Sequence, residues 1–177
     1  MSEERKVRQE LLDELNSIDF PLARSRKNII RGGVVRQGFV LGRVFNWGHG
    51  LLKDSRRFRP SNKTSMPKYE KINELAKKLM KLHNPNFKYT SIQFNKDNRT
   101  AKHVDAHNVG VSEMIGLGDY SGGDVRVFDE FGKNPKDYNV KNKWLRFDGS
   151  LYPHETTPFT GTRYTLVYYD AGRKGFK

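Results

Sequence analysis

The sequence predicts an α+β chain, with two amphipathic helices in the N-terminal half and an all-β C-terminal half closed as an antiparallel sandwich or barrel. Three observations predict it. Apolar residues recur at helical spacing twice before residue 84, seven short β-rich runs follow residue 87, and no helical stretch separates those runs.

The elements follow in order. Val7, Leu11, Leu12, Leu15 and Ile18 fall three to four apart, the stripe of a helix over 4–18. Pro21 ends it, and the basic run from Ala23 to Arg31 predicts a loop. Gly33 to Asn46 is β-branched and aromatic with internal glycines, which predicts one bent strand or a hairpin. Trp47 to Lys63 predicts a long irregular basic loop. Ser65 offers an N-cap and Pro67 a first turn for a second helix, with Tyr69, Ile72, Leu75, Ala76, Leu79 and Met80 as its apolar face. Asn84-Pro85 stops it. Strands are expected over 88–95, 101–106, 112–118, 124–130, 143–148, 151–155 and 162–169. Residues 1–177 are expected as a single domain, with 1–86 a basic helical and loop part packed on a β core over 87–170.

Composition narrows the chemistry. The 177 residues include no cysteine, which excludes disulfides, thiolate metal sites and a cysteine nucleophile. Apolar runs are far short of the roughly 20 residues that cross a bilayer, and Met1 to Lys6 lacks the apolar core of a secretion signal. A soluble intracellular chain, cytoplasmic or nuclear and without membrane contact, is therefore expected. The net charge of +13 is unevenly placed. Residues 21–63 carry eleven basic groups and one acidic, residues 64–102 nine and three, and residues 103–177 ten of each. An excess concentrated in 21–102 suits a phosphate backbone, so nucleic acid is the expected partner.

The balanced half carries the candidate chemistry. His103-Val104-Asp105 puts an imidazole and a carboxylate two residues apart, where both can point to one side of a strand. His154 ends another expected strand. Two histidines and one carboxylate are the set that holds non-haem Fe(II) with positions left open. Arg163 lies in a β-forming run, and alternation puts Arg163, Thr165 and Val167 on one face, suited to gripping a small carboxylate. The alternative for Arg163 is an edge position neutralising Asp170 or Glu155. His107 could replace His103 beside Asp105 or touch substrate, as could Asn108, Tyr120 and Trp47. His49 and His83 are expected to be solvent-exposed, and Phe159, Tyr164 and Tyr168 to be core.

These residues resemble a known family. His103-Val104-Asp105, Gly118-Asp119-Tyr120-Ser121-Gly122-Gly123 with Val125, and the segment His154 to Tyr164 are similar to the Fe(II)/2-oxoglutarate-dependent dioxygenases, over roughly Tyr89 to Asp170. The likeness lies between the prolyl-hydroxylase-like branch and the ten-eleven-translocation and base-J-binding-protein branch. It implies a double-stranded β-helix, or jelly roll. It also implies Fe(II) on His103, Asp105 and His154, the distal carboxylate of 2-oxoglutarate on Arg163 and Thr165, and O2 as co-reactant. Gln93 and Asn95 are the candidates for the other end of the cosubstrate. The implied reaction is hydroxylation of a nucleic-acid base at a pyrimidine methyl or ring position. A prolyl-type protein hydroxylase is the alternative, and a non-catalytic nucleic-acid-binding module on the same fold is another.

Overall fold

In a computed structural model, residues 1–23, 36–45, 58–106 and 108–172 are described. Trp47, His49 and His107, with the basic stretches 24–35 and 46–57, lie outside the described residues.

Both expected helices form. Helix α1 runs Glu3–Ser17, its N-cap Ser2 side chain accepting from the Arg5 amide at 3.2 Å, and buries Val7, Leu11 and Leu15. Helix α2 runs Pro67–His83 and buries the six anticipated residues. Its N-cap is Met66 rather than Ser65, which instead ends a 3-10 turn over Asn62–Ser65. Pro67 starts α2 without a side-chain cap, because its fixed φ and missing N–H suit the first turn.

Twelve strands make antiparallel sheets: β1 Leu22–Ala23, β2 Arg36–Phe45, β3 Phe58–Pro60, β4 Ser91–Lys96, β5 Val109–Leu117, β6 Tyr120–Gly122, β7 Val125–Val127, β8 Lys136–Tyr138, β9 Trp144–Phe147, β10 His154–Thr156, β11 Phe159–Gly161 and β12 Tyr164–Asp170. The large sheet is ordered β1-β2-β4-β12-β5-β9, with β3 on β2. Two smaller sheets are β10-β7-β8 and β11-β6. Of the run at 33–46, the described residues Arg36–Phe45 form one strand, and part of the loop expected at 47–63 is β3 and the 3-10 turn. The strand expected at 101–106 reduces to one bridge, His103 to His154, and that expected at 124–130 stops at Val127.

The large sheet has an apolar core on each face. One joins α1 and α2 to Phe39, Leu41, Ile92, Phe94, Ile115, Leu117, Tyr164, Leu166 and Tyr168. The other sets Met114, Leu145, Phe147 and Val167 of the large sheet against Val125 and Val127 of a smaller one. Alternation along β12 therefore sends Tyr164, Leu166 and Tyr168 to the helices and Arg163, Thr165 and Val167 inward between the sheets. No helix among the described residues is long and apolar enough to cross a membrane.

Candidate active site

The bridge that replaces the expected strand is what aligns the two histidines. His103 N donates to His154 O at 3.0 Å, and His154 N returns the bond to His103 O at 2.9 Å. Asp105 faces both Nε2 atoms, with Oδ1 3.7 Å from His103 Nε2 and Oδ2 3.2 Å from His154 Nε2. One ligand atom from each of the three lies within 4.8 Å of the others, a group able to hold a metal ion.

The backbone fixes which nitrogen is offered. His103 Nδ1 donates to Ala101 O at 2.6 Å and His154 Nδ1 to Tyr152 O at 2.9 Å. A carbonyl can only accept, so each Nδ1 carries a proton and each Nε2 is turned towards Asp105. Asp105 N donates to Gly149 O at 2.8 Å, and the Phe147 ring stands edge-on to His154 at 4.9 Å. Two imidazoles and one carboxylate, with nothing softer, suit non-haem Fe(II).

Arg163 is 4 % exposed. It neutralises neither Asp170 nor Glu155; Glu155 pairs with Arg126 at 3.5 Å. Its backbone is clamped in the turn after β4, where Asp97 Oδ1 accepts from Arg163 N at 2.7 Å and Asp97 N donates to Arg163 O at 2.8 Å. Its guanidinium sits near the rings of Tyr120 and Phe159, 5.7 and 5.5 Å from their centroids, and Nη2 donates to Gly123 O at 2.9 Å. Any side chain at Gly123 would enter that space, since a Cβ there would lie 2.7 Å from Arg163 Nε. The Tyr120 hydroxyl occupies the place where a Gly116 Cβ would be.

Two polar atoms in this pocket are orphaned. Arg163 Nε and the Tyr120 hydroxyl are buried without a well-formed hydrogen bond, although the two side chains stand close enough to interact with each other. Burial pulls the Arg163 pKa down, opposed by Tyr120, Asp124 and Asp97. Burial pushes the Tyr120 pKa up, opposed by the charge of Arg163. Unpaired buried donors are costly, and a carboxylate entering the pocket would satisfy both at once. The donors at Arg163 and Tyr120 are thus of the kind that a carboxylate would satisfy.

The remaining predicted residues divide. Asn95 lies opposite Thr165 and donates to its hydroxyl at 3.1 Å. Gln93 lies two pairs further, opposite Val167, and accepts from Arg36 at 3.0 Å. Tyr120, one of the residues that could touch substrate, stands beside Arg163. His83 is not solvent-exposed: it stacks on Trp144 at 4.1 Å between centroids and bonds buried Glu113 at 2.9 Å. Phe159 is half-buried beside the guanidinium rather than deep core. The lysines of α2 do not line this space, because α2 covers the opposite face of the large sheet; Lys71 and Lys78 pair with Glu14 and Glu3 of α1. Sequence reasoning missed Asp97 and Gly116, whose roles appear only once distant strands meet. The positive φ of Asp97, 53°, leaves no mark in composition.

No protein-family model matches the chain, and no curated protein matches it by sequence. Solved structures do. A 2OG-Fe(II) oxygenase family oxidoreductase from Burkholderia pseudomallei superposes with a TM-score of 0.63 at 17 % identity, covering 93 % of this chain and 78 % of the other. NgTET1, solved with 5mC DNA, gives 0.60 at 17 % identity over 94 % and 68 %. A prolyl hydroxylase from Trichoplax adhaerens, solved with a hypoxia inducible factor peptide, gives 0.53 at 16 % identity over 94 % and 78 %. At such identities the likeness establishes a shared fold, the fold of 2-oxoglutarate/Fe(II)-dependent oxygenases, as the sequence motifs imply.

Proposed function

We propose that this chain is an Fe(II)- and 2-oxoglutarate-dependent dioxygenase that hydroxylates a C–H bond of a nucleic-acid base, at a pyrimidine methyl or ring position, on a double-stranded β-helix. The observation that carries the reading is the convergence of His103, Asp105 and His154 in the same inter-sheet space as a buried, incompletely bonded Arg163.

The chain's own residues have separable tasks. His103, Asp105 and His154 would hold the metal through Nε2, a carboxylate oxygen and Nε2, with tautomers preset by Ala101 O and Tyr152 O. Arg163 would grip the distal carboxylate of 2-oxoglutarate where burial strengthens a charged hydrogen bond. Thr165 accepts from Asn95, which leaves its own hydroxyl proton to donate to that carboxylate. Val125, Val127 and Phe147 wall the site against water. When bound, Fe(II) with 2-oxoglutarate supplies the oxidising chemistry, one oxygen atom of O2 going to the acceptor C–H and the other to succinate as CO2 leaves.

A net charge of +13 and the likeness to NgTET1 support the nucleic-acid acceptor. The likeness to a prolyl hydroxylase supports a protein acceptor as the second reading. The test is mass spectrometry of methylpyrimidine-containing oligonucleotides and proline-containing peptides after incubation with the full chain, Fe(II), 2-oxoglutarate and O2. One oxygen added to the oligonucleotide, matched by succinate and lost in Asp105→Ala, is expected. Oxygen added to peptide alone selects the second reading, and nucleic-acid binding with neither iron uptake nor succinate leaves a binding module.

A further inference from the structure

A row of polar side chains crosses the inner face of the large sheet. The ladder sets Gly38 of β2 opposite Asn95 of β4, Asn95 opposite Thr165 of β12, and Thr165 opposite Gly116 of β5. The two glycines leave room at the ends of the row. A Cβ at Gly38 would lie 3.0 Å from Gln93 Nε2 and 3.3 Å from Asn95 Oδ1, and the Tyr120 hydroxyl fills the place of a Gly116 Cβ. Thr165 therefore stands between Asn95 and the Tyr120 hydroxyl. Arg163 lies two residues away on the same face, its guanidinium 5.7 Å from the centre of the Tyr120 ring.

Hydrogen bonds run along this row in one direction. Arg36 Nη2 donates to Gln93 Oε1 at 3.0 Å, Gln93 Nε2 to Asn95 Oδ1 at 3.2 Å, and Asn95 Nδ2 to Thr165 Oγ1 at 3.1 Å. Each amide is oriented by partners whose own roles are fixed, since a guanidinium can only donate and a carbonyl can only accept. Gln93 Nε2 also meets Phe94 O at 3.0 Å and Phe39 O at 3.3 Å, so the oxygen of that amide must face Arg36. Asn98 is set by the backbone of Gln37, whose N donates to its Oδ1 at 3.0 Å and whose O accepts from its Nδ2 at 2.7 Å. The same Nδ2 reaches Asn95 Oδ1 at 3.4 Å. Asn95 Oδ1 thus receives from two sides, and its Nδ2 is left for Thr165.

The direction matters because a threonine hydroxyl can give or take. With Asn95 giving, Thr165 keeps its proton for another acceptor, on the face that also carries Arg163 and Tyr120. Reversed, the chain would spend that proton on Asn95 and leave only lone pairs, which repel a carboxylate.

We propose that Gln93 and Asn95, anchored on Arg36, are positioning residues whose one-way hydrogen-bond chain makes Thr165 a donor and so selects a carboxylate at the distal end of the cosubstrate. This rests on the 2-oxoglutarate reading above. The test is anaerobic calorimetric titration of 2-oxoglutarate into the Fe(II)-loaded full chain, with single and paired variants. Thr165→Val should weaken binding roughly tenfold, the loss of one hydrogen bond to a charged group. Thr165→Ser should restore it to within about twofold. Asn95→Leu and Gln93→Met each remove a link without adding charge and should each cost about threefold. In the Thr165→Val background neither should cost more, within about twofold, because both act through that hydroxyl. Melting curves confirm folding, and Gln93→Met carries the comparison should Asn95→Leu not fold. Losses that multiply in the paired variants overturn the chain and put the amides on the cosubstrate directly. A Thr165→Val protein that binds like wild type also overturns it, and both results leave the 2-oxoglutarate reading standing. A wild type that takes up no 2-oxoglutarate overturns that reading itself.

Discussion

Strand β12 carries two unlike surfaces. Towards the helices, both buried tyrosine hydroxyls are bonded, Tyr164 to Asn16 Oδ1 at 2.8 Å and Tyr168 to Ala76 O at 2.7 Å. Towards the smaller sheets, Arg163 Nε and the facing Tyr120 hydroxyl are left without acceptors. One face is complete in itself and should hold stability, while the other keeps buried donors without acceptors. Residues one position apart in sequence are thus expected to report on different properties.

The largest effect should come from the site face. Asp105→Ala should abolish turnover and reduce Fe(II) affinity by more than about 100-fold, beyond what changes to outer partners cost, while the melting temperature without metal stays within a few degrees. Iron titration and calorimetry check both halves. The helix face should behave in the opposite way. Leu166→Ala, at a fully buried position, should cost about 2–5 kcal/mol in denaturant unfolding and leave iron affinity of the folded protein unchanged. A smaller effect is expected at Tyr120→Phe, which should weaken 2-oxoglutarate binding roughly tenfold, the loss of one hydrogen bond to a charged group. Stability should not fall, because an unpaired buried hydroxyl has been removed. Isothermal titration together with a melt separates the two.

The smallest effect concerns the turn between β7 and β8. Bonds from Lys133 N, Asn134 and Phe131 N, with the charge of Lys102, hold the Asp129 carboxyl below its usual range. A lowered folded-state pKa contributes order that is complete above about pH 4 and is lost as the pH falls through the lowered value. Protection of the Phe131 and Lys133 amides, followed by NMR, should fade only in that acid window.

The contrast between the faces was legible in part. Period-two alternation in β12 and the two-residue spacing of His103 and Asp105 are local facts, so geometry follows from sequence once a strand is assumed. Two helices with long apolar stripes were equally plain. What stayed hidden depends on which distant strands meet. Tyr120 reads as a turn tyrosine until β6 swings its hydroxyl over Gly116. Strand β8 is short and wholly exposed, so no apolar pattern marks it. The lysines of α2 count towards the charge in any sequence total, yet the helix packs them away from the site because its apolar face matches the far side of the large sheet.

The position of β12 also limits how the gene can change length. The strand is laddered on both sides, to β4 and to β5, in a continuous register from Tyr164 to Tyr168. Losing or gaining a single codon there would exchange its two faces, turning hydroxyl and guanidinium towards the helices and tyrosine rings into the site. The loop over 129–134 meets no such parity rule, since it joins β7 to β8 by a surface turn. Heritable variation in length should therefore collect in that loop and be absent from the strand that follows Arg163.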